Sequence, residues 1–132
     1  MTELYLRLLF SFAVGNSDMH LKNFSLIETA EGSGQYWLSP AYDLLPVNVI
    51  MPEDKEQFAL AMNGKKTNIR RKDFLVFADE CGVQRSSAER MMKKIVSQKG
   101  QFISMCNSSL LPDHLKESFV ALIEERMGVF EN

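Results

Sequence analysis

The amino-terminal stretch carries apolar residues at the spacing of one helix face, which predicts an opening helix that is half buried. These apolar positions are Leu4, Leu8, Leu9 and Phe12. Thr2 is placed to cap the start of this helix, and Gly15 is placed to end it. The hydrophobic pattern therefore predicts one helix before residue 15.

A polar run, GNSDMHLKN, occupies residues 15–23 and has the composition of a loop. Two short β-prone segments follow it, Phe24–Ile27 and Tyr36–Leu38. The connection between them contains Gly32 and Gly34, which can turn the chain back on itself. This order predicts a loop followed by a β-hairpin.

The middle of the chain has a weaker pattern. Pro46 breaks regular structure, and the acidic stretch 51–57, which contains a proline, is typical of a surface loop. Phe58–Met62 is apolar enough to predict one further short strand.

Three helices are predicted after residue 70. The first covers Arg71–Cys81 and is ended by Gly82. The second begins at Ser86, which forms a capping-box pattern with Glu89, and its apolar stripe continues to residue 106 with one interruption at Lys99. The second helix should therefore be long.

The third predicted helix is introduced by Pro112 and Asp113 and closed by Gly128. With the opening helix and the hairpin, it gives a fold class that is mainly α with a small β element, or α+β. Residues 1–132 should form one domain, because a chain of this length buries roughly two thirds of its surface around one core.

The composition excludes several classes of protein. An apolar fraction of 45% with 24% charged residues is ordinary for a globular protein, and a net charge of -2 gives no general attraction to nucleic acid or anionic membranes. Cys81 and Cys106 lack metal-ligand spacing, so we expect two reduced, buried thiols. Arg7 interrupts the first apolar stretch, which argues against a signal peptide, and the cytoplasm is the expected compartment.

The polar loop carries the residues with the clearest chemistry. In protein kinases a catalytic aspartate precedes a metal-binding asparagine by five residues, and a hairpin and a second metal-binding aspartate follow. Here Asp18 precedes Asn23 by five residues, and Asp43 comes after the second predicted strand. An aspartate and an asparagine alone would more often be turn residues. The agreement of spacing, hairpin and Asp43 instead predicts phosphoryl transfer from a nucleotide.

Three sequence strings resemble the carboxy-terminal lobe of the HipA toxin kinases. They are DMHLKNFS at Asp18–Ser25, SPAYDLLP at Ser39–Pro46 and MNGKKT at Met62–Thr67. The first two are specific in combination and the third is supportive. The resemblance extends over nearly the whole chain, including the helical tail, which forms the base of the kinase in that family.

The resemblance implies a role for each matching residue. Asp18 would be the catalytic base, Asn23 and Asp43 would bind Mg²⁺ and the ATP phosphates, and Lys22 would contact phosphate or developing charge. His20 lies in the same motif and is a candidate nucleotide-binding residue, although a hydrogen bond that only anchors the loop is the simpler interpretation. ATP and magnesium are the implied cofactors.

One part of the family pattern has no counterpart here. HipA kinases carry an amino-terminal lobe with a phosphate-covering loop and a phosphate-binding lysine, and no glycine-rich phosphate loop occurs in this sequence. We expect residues 1–46 to form the catalytic segment, 47–70 a loop region and 71–132 the helical tail, with the nucleotide-covering lobe absent. A longer reading frame or a separately encoded lobe would complete the kinase.

The resemblance also implies partners. Members of the family phosphorylate a protein hydroxyl, for example on an aminoacyl-tRNA synthetase, and pair with a DNA-binding antitoxin. We expect a serine/threonine kinase of this type, active once it is completed, with no membrane contact.

Two alternatives remain open. One is a non-catalytic module that binds an antitoxin or DNA through a basic cluster, which consists of Lys65, Lys66, Arg70, Arg71 and Lys72. The other is a kinase for lipids or small molecules, because the motif describes the phosphate end of the reaction and not the acceptor.

Overall fold

The computed structural model describes residues 1–42 and 44–131. It contains six α-helices, one antiparallel hairpin and a short 3-10 helix at Leu21–Asn23 in this part of the chain. The helices are α1 (Thr2–Ala13), α2 (Val47–Ile50), α3 (Arg71–Glu80), α4 (Arg85–Ser97), α5 (Lys99–Asn107) and α6 (Asp113–Glu131), and the strands are β1 (Leu26–Glu28) and β2 (Tyr36–Leu38). The predicted fold class is therefore confirmed.

The core forms around the buried face of α1. Phe12 is fully buried and contacts the rings of Phe58, Phe74 and Phe130, with centroid distances of 6.1, 5.1 and 5.5 Å. Burying each such ring contributes about 1.5–3 kcal/mol through removal of apolar surface from water. Since these rings come from distant parts of the sequence, their packing fixes α1 at the centre of the domain.

The hairpin is small and projects from this core. β1 and β2 pair over three residues each, with Ile27 opposite Trp37. Most of its large side chains are exposed, including Trp37 at 62% and Leu26 at 69%. A two-stranded hairpin alone is marginally stable in water, so its position depends on the chain at either end of it.

Two details of the predicted elements are wrong. Thr2 lies inside α1, whose N-cap is Met1 without a side-chain cap. Phe58–Met62 forms no strand, and only an isolated bridge joins Met62 to Lys65 across Asn63 and Gly64, which both have positive φ. Phe58 and Met62 are buried in the core, so their apolar pattern reflects packing and not strand pairing.

The helical tail also differs from the prediction. The segment predicted as one long helix is two, since α4 ends at Ser97 and α5 starts at Lys99, with Gln98 between them. The N-cap of α4 is Gln84 and makes no side-chain cap, so the predicted capping box of Ser86 and Glu89 is wrong.

Gly128 does not end the last helix, which continues to Glu131. Val129 and Phe130 are buried, and their packing offsets the roughly 1 kcal/mol that a glycine costs within a helix.

The predicted loop region 47–70 contains the short helix α2. Cys81 and Cys106 are both free thiols, as expected. Cys106 is buried, whereas Cys81 is only partly buried against the core. None of the helices in the described ranges is long and apolar enough to cross a membrane.

Gly15 is the glycine whose substitution should cost most. Its φ is +73°, and a Cβ there would lie 3.1 Å from both methyl carbons of Leu122 and 3.4 Å from the Cβ of Asn48. Gly15→Ala should therefore combine the left-handed backbone penalty, about 1–2 kcal/mol, with an overpacking penalty of about 1–3 kcal/mol.

Gly32→Ala is the matched control, because Gly32 has a φ of +75° but a methyl group added there would meet no atom within 4 Å. In urea unfolding this variant should show only the backbone penalty. An equal loss of unfolding free energy in Gly15→Ala and Gly32→Ala would show that a methyl group at residue 15 does not overpack against Leu122.

Candidate active site

The predicted catalytic loop begins directly after α1. The amide of Asn16 donates to the carbonyl of Ser11 (2.8 Å), and the amide of Ser17 donates to the carbonyl of Gly15 (3.1 Å). These bonds turn the chain sharply out of the helix at the position where Gly15 supplies a positive φ. The loop is thus hydrogen-bonded to the end of α1, whose buried residues belong to the core.

Asp18 presents its carboxylate to solvent. The side chain is 57% exposed, and Nε2 of His20 lies 3.7 Å from its Oδ1. No hydrogen bond from the described residues reaches the two carboxylate oxygens of Asp18. A carboxylate in this state can accept a hydrogen bond from an incoming hydroxyl group, which is the geometry that a general base requires.

Asn23 lies on the inner side of the same loop and is only 3% exposed. Its Nδ2 donates to the backbone carbonyl of Asp18 (2.8 Å) and closes the loop. Because the carbonyl can only accept, the nitrogen must face it, and Oδ1 of Asn23 accepts no hydrogen bond from residues 1–42 and 44–131. That oxygen is the atom that would bind a metal ion.

His20 and Lys22 complete the turn. Nδ1 of His20 accepts a hydrogen bond from the amide of Lys22 (3.2 Å), and the carbonyl of His20 accepts one from the amide of Asn23 (2.9 Å). His20 therefore makes the contact expected of a loop anchor, and its role in nucleotide binding stays a prediction. The Lys22 side chain is exposed, as a phosphate-binding lysine would be before its ligand arrives.

Tyr42 was not singled out from the sequence, yet it links two parts of the site. Its hydroxyl donates to the carbonyl of Lys22 (2.9 Å) and lies 2.7 Å from Oγ of Ser25. The signal for it was its position immediately before Asp43 in the string SPAYDLLP. Tyr42 fastens the segment after the hairpin to the catalytic loop.

Asp43 itself lies outside the described residues, so its distance from Asn23 and their joint role as metal ligands stay a prediction. Within the described ranges, no group of three or more His, Cys, Asp or Glu side chains is arranged to hold a metal ion. A magnesium site with few protein ligands would not need such a group, because Mg²⁺ keeps several of its waters.

Buried Arg7 is a second residue that the sequence analysis did not assign to the site. Its guanidinium donates to the carbonyl of Ser39, at the end of the hairpin, and lies 3.4 Å from Glu3. The signal in the sequence was a charged residue within an apolar helix pattern.

Asn16 is a further buried polar residue of the loop. Both polar atoms of its fully buried side chain lack a hydrogen-bond partner among the described residues.

Comparison with known proteins identifies the family. The family described as HipA-like C-terminal domain matches residues 1–102. This chain belongs to that family. Over 65 residues, or 49% of the chain, it is 43% identical to the Sinorhizobium fredii protein named "Putative kinase Y4dM", and this segment covers 15% of that protein.

A solved structure has the same fold. It is the Shewanella oneidensis HipA in a complex with HipB and operator DNA, and it matches 98% of this HipA-like chain with a TM-score of 0.69 and 23% identity. The match covers 32% of that HipA chain. The chain therefore spans a third or less of the length of these relatives.

Three of the five cations in the basic cluster of this HipA-like domain lie within 4.0 Å of a carboxylate. Lys65 pairs with Asp73 (3.0 Å), and Arg71 pairs with Glu89 (3.2 Å). Lys66 lies 4.0 Å from Glu56. Because counterion release requires free cations, this pairing argues against the cluster as a strong DNA-binding surface.

An apolar cavity of about 300 Å³ borders the catalytic loop. Met19, Leu21 and Phe24 form the wall on the side of the loop. The rest of the lining comes from α1, β2, the 58–62 segment and α3, through Leu4, Leu8, Leu38, Phe58, Leu60, Ala61, Met62 and Phe77. The loop thus has polar groups available for chemistry and an apolar surface beside them.

Proposed function

We propose that this chain is the carboxy-terminal lobe of a HipA-like serine/threonine protein kinase, which transfers the γ-phosphoryl group of ATP to a protein hydroxyl when an amino-terminal lobe completes it. The observation that carries the proposal is the loop of Asp18 and Asn23, in which one residue has a free carboxylate and the other an amide oxygen that accepts no hydrogen bond from the described residues. Membership of the HipA-like family supports it.

In this proposal Asp18 orients the acceptor hydroxyl and accepts its proton. Asn23 and Asp43 hold the metal, and Lys22 offers its ammonium group to the phosphates. Magnesium, when bound, would neutralise negative charge on the phosphate oxygens. The amide nitrogen of Asn23, bound to the carbonyl of Asp18, keeps the base and the metal ligand in fixed relation, which is the main requirement when catalysis is positioning.

The exposed apolar surface supports the need for a second lobe. Leu26, Tyr36 and Trp37 of the hairpin are each at least 60% exposed, and Leu21, which lines the cavity, is 76% exposed. Leu26 and Tyr36 lie on one face of the hairpin and Trp37 lies on the other. Large apolar side chains exposed in this way favour a protein interface. We assign it to the amino-terminal lobe, because the relatives are several times longer than this chain.

We further propose a substrate and a partner. A translation component such as an aminoacyl-tRNA synthetase is the proposed substrate, by resemblance to the family. A DNA-binding antitoxin is the proposed partner, and the complex of HipA, HipB and operator DNA named for the Shewanella structure supports this. The alternative of DNA binding through the basic cluster is weakened by the ion pairs at Lys65 and Arg71.

Calorimetric titration with magnesium and a non-hydrolysable ATP analogue tests the nucleotide site. The kinase completed by its amino-terminal lobe should bind, and the 132-residue chain alone should bind at least about tenfold more weakly, because it offers contacts to only one side of the nucleotide. Asn23→Leu should reduce magnesium-dependent binding, whereas the exposed Asn107→Leu should not. Absence of binding by the completed form would contradict the proposal.

A further inference from the structure

One face of α6 contacts the end of α1 and the first residues of the catalytic loop. Leu122 and Arg126 are four residues apart, so both lie on this face. The methyl carbons of Leu122 approach Gly15, and Nη1 of Arg126 donates to the carbonyl of Phe12 (2.8 Å). The end of α1 is therefore fixed against the last helix of the domain.

Arg126 is an unusual group to find in this position. It is 6% exposed, its guanidinium carbon lies 4.7 Å from the ring centroid of Phe12, and burial lowers its pKa. No carboxylate of the described residues is within ion-pair distance of it. Its acceptors are neutral, and one of them is a carbonyl in the last turn of α1, where the helix dipole favours a cation.

The second acceptor of Arg126 is Asn48, which connects four parts of the chain. Oδ1 of Asn48 accepts a hydrogen bond from Nη2 of Arg126 (3.2 Å). Nδ2 of Asn48 donates to the carbonyls of Asp54 (3.1 Å) and Glu56 (2.9 Å). Its backbone amide donates to the carbonyl of Gly15 (3.0 Å). Both polar atoms of the Asn48 side chain are thus occupied.

We propose that Asn48 and Arg126 are positioning residues for the catalytic loop. Gly15, held by the amide of Asn48, lies three residues before Asp18, and Asn48 lies five residues after Asp43. The pair therefore anchors the segment of the proposed base and the segment of the proposed metal ligand to the same buried guanidinium. This inference rests on the proposed function, because positioning matters only if Asp18 and Asp43 act together.

The need for such an anchor follows from the exposure of the loop. Asp18 and Lys22 are exposed and receive no support from packing of their own side chains. A displacement of about 1 Å in a reacting group can lower a rate about 100-fold. Asn48 and Arg126 restrict that displacement from behind the loop without contacting substrate.

Amide hydrogen exchange on the chain measures this anchoring directly. Arg126→Met should accelerate exchange at the amides of Asn16 and Asn48 about tenfold more than it accelerates exchange at the core amides of α4. Tyr5→Phe is the matched control, because it also removes a buried donor to a backbone carbonyl, that of Phe74 (3.1 Å), at a distance from the loop. Tyr5→Phe should leave the exchange rates of the Asn16 and Asn48 amides unchanged relative to those of the core amides.

The completed kinase gives the second measurement. Arg126→Met and Asn48→Ala should each lower kcat about tenfold with the KM for ATP within about twofold, whereas Tyr5→Phe should not alter kcat per folded molecule. Arg126→Lys, which keeps the charge but not the two-pronged donor, should restore part of the loss.

If Arg126→Met does not fold, Asn48→Ala decides the question, since it leaves the guanidinium bound to Phe12. Uniform acceleration of exchange in both loop and core, or unchanged kcat in folded variants, would overturn the inference. If the completed wild-type protein transfers no phosphate, the proposed function fails while the exchange data still decide whether the pair anchors the loop.

Discussion

Replacing Asp18 with asparagine is expected to lower the rate of phosphoryl transfer by the completed kinase about 10²- to 10⁴-fold, the range that a positioned general base contributes. The stability of the chain should change by less than about 0.5 kcal/mol, because the side chain is 57% exposed and its nearest recorded partner among the described residues, Nε2 of His20, is 3.7 Å away. Transfer from labelled ATP and urea unfolding measure the two quantities.

Asp79→Asn is the control for this prediction, since Asp79 is an exposed aspartate on α3 outside the catalytic loop. It should leave both rate and stability unchanged. An Asp18→Asn enzyme with full activity would remove Asp18 as the base and leave the loop with a purely structural role.

Asp73→Ala is expected to cause one of the largest losses of stability in the chain, about 3 kcal/mol. The carboxylate is fully buried and accepts hydrogen bonds from Asn63 (2.8 Å), Lys65 (3.0 Å) and the amide of Arg70 (2.8 Å). Removal leaves these donors without their acceptor at the start of α3. Urea unfolding at neutral pH measures the loss, and Glu89→Ala, which breaks one partly buried and one exposed ion pair, should lose much less stability.

The stability contributed by Asp73 should depend on pH. Burial alone would raise the pKa of this carboxyl, but the hydrogen bonds from Arg70, Asn63 and Lys65 outweigh burial and hold the pKa below its usual value. A group with a lowered folded-state pKa stabilises the protein above its unfolded-state pKa, and the contribution disappears as pH falls through the folded-state pKa.

The difference in stability between wild type and Asp73→Ala should therefore be constant near neutral pH and narrow below about pH 4. A difference that stays constant down to acid unfolding would contradict the ionised state of Asp73.

The sequence was most informative where function requires a fixed spacing of residues. The loop that contains Asp18 and Asn23, the hairpin after it and the fold class all follow from local patterns, because turn residues act over a few positions, while the roles of Asp18 and Asn23 stay predictions. Periodicity was least reliable where tertiary packing decides the structure. The 58–62 segment has the composition of a strand, but the turn at Asn63 and Gly64 and the burial of Phe58 hold it in an irregular conformation.

The supports of the site could not have been predicted from local pattern. Arg126 is 114 residues from Phe12 and 78 residues from Asn48, and no periodicity relates positions at such separations. A charged residue within an apolar stripe was the only available signal, at Arg7 as well as at Arg126. Charges that interrupt a core pattern are thus worth treating as candidate supports for a neighbouring loop.

The hairpin has a further consequence for the behaviour of the chain in concentrated solution. In the described part of the chain its two strands pair only with each other, so each has one outer edge with unpaired backbone groups. The strands contain one charge, Glu28, and no proline or lysine that would discourage strand addition by another molecule. Until a partner covers them, these edges and the ring of Trp37 make the segment that follows the catalytic loop the region most exposed to aggregation.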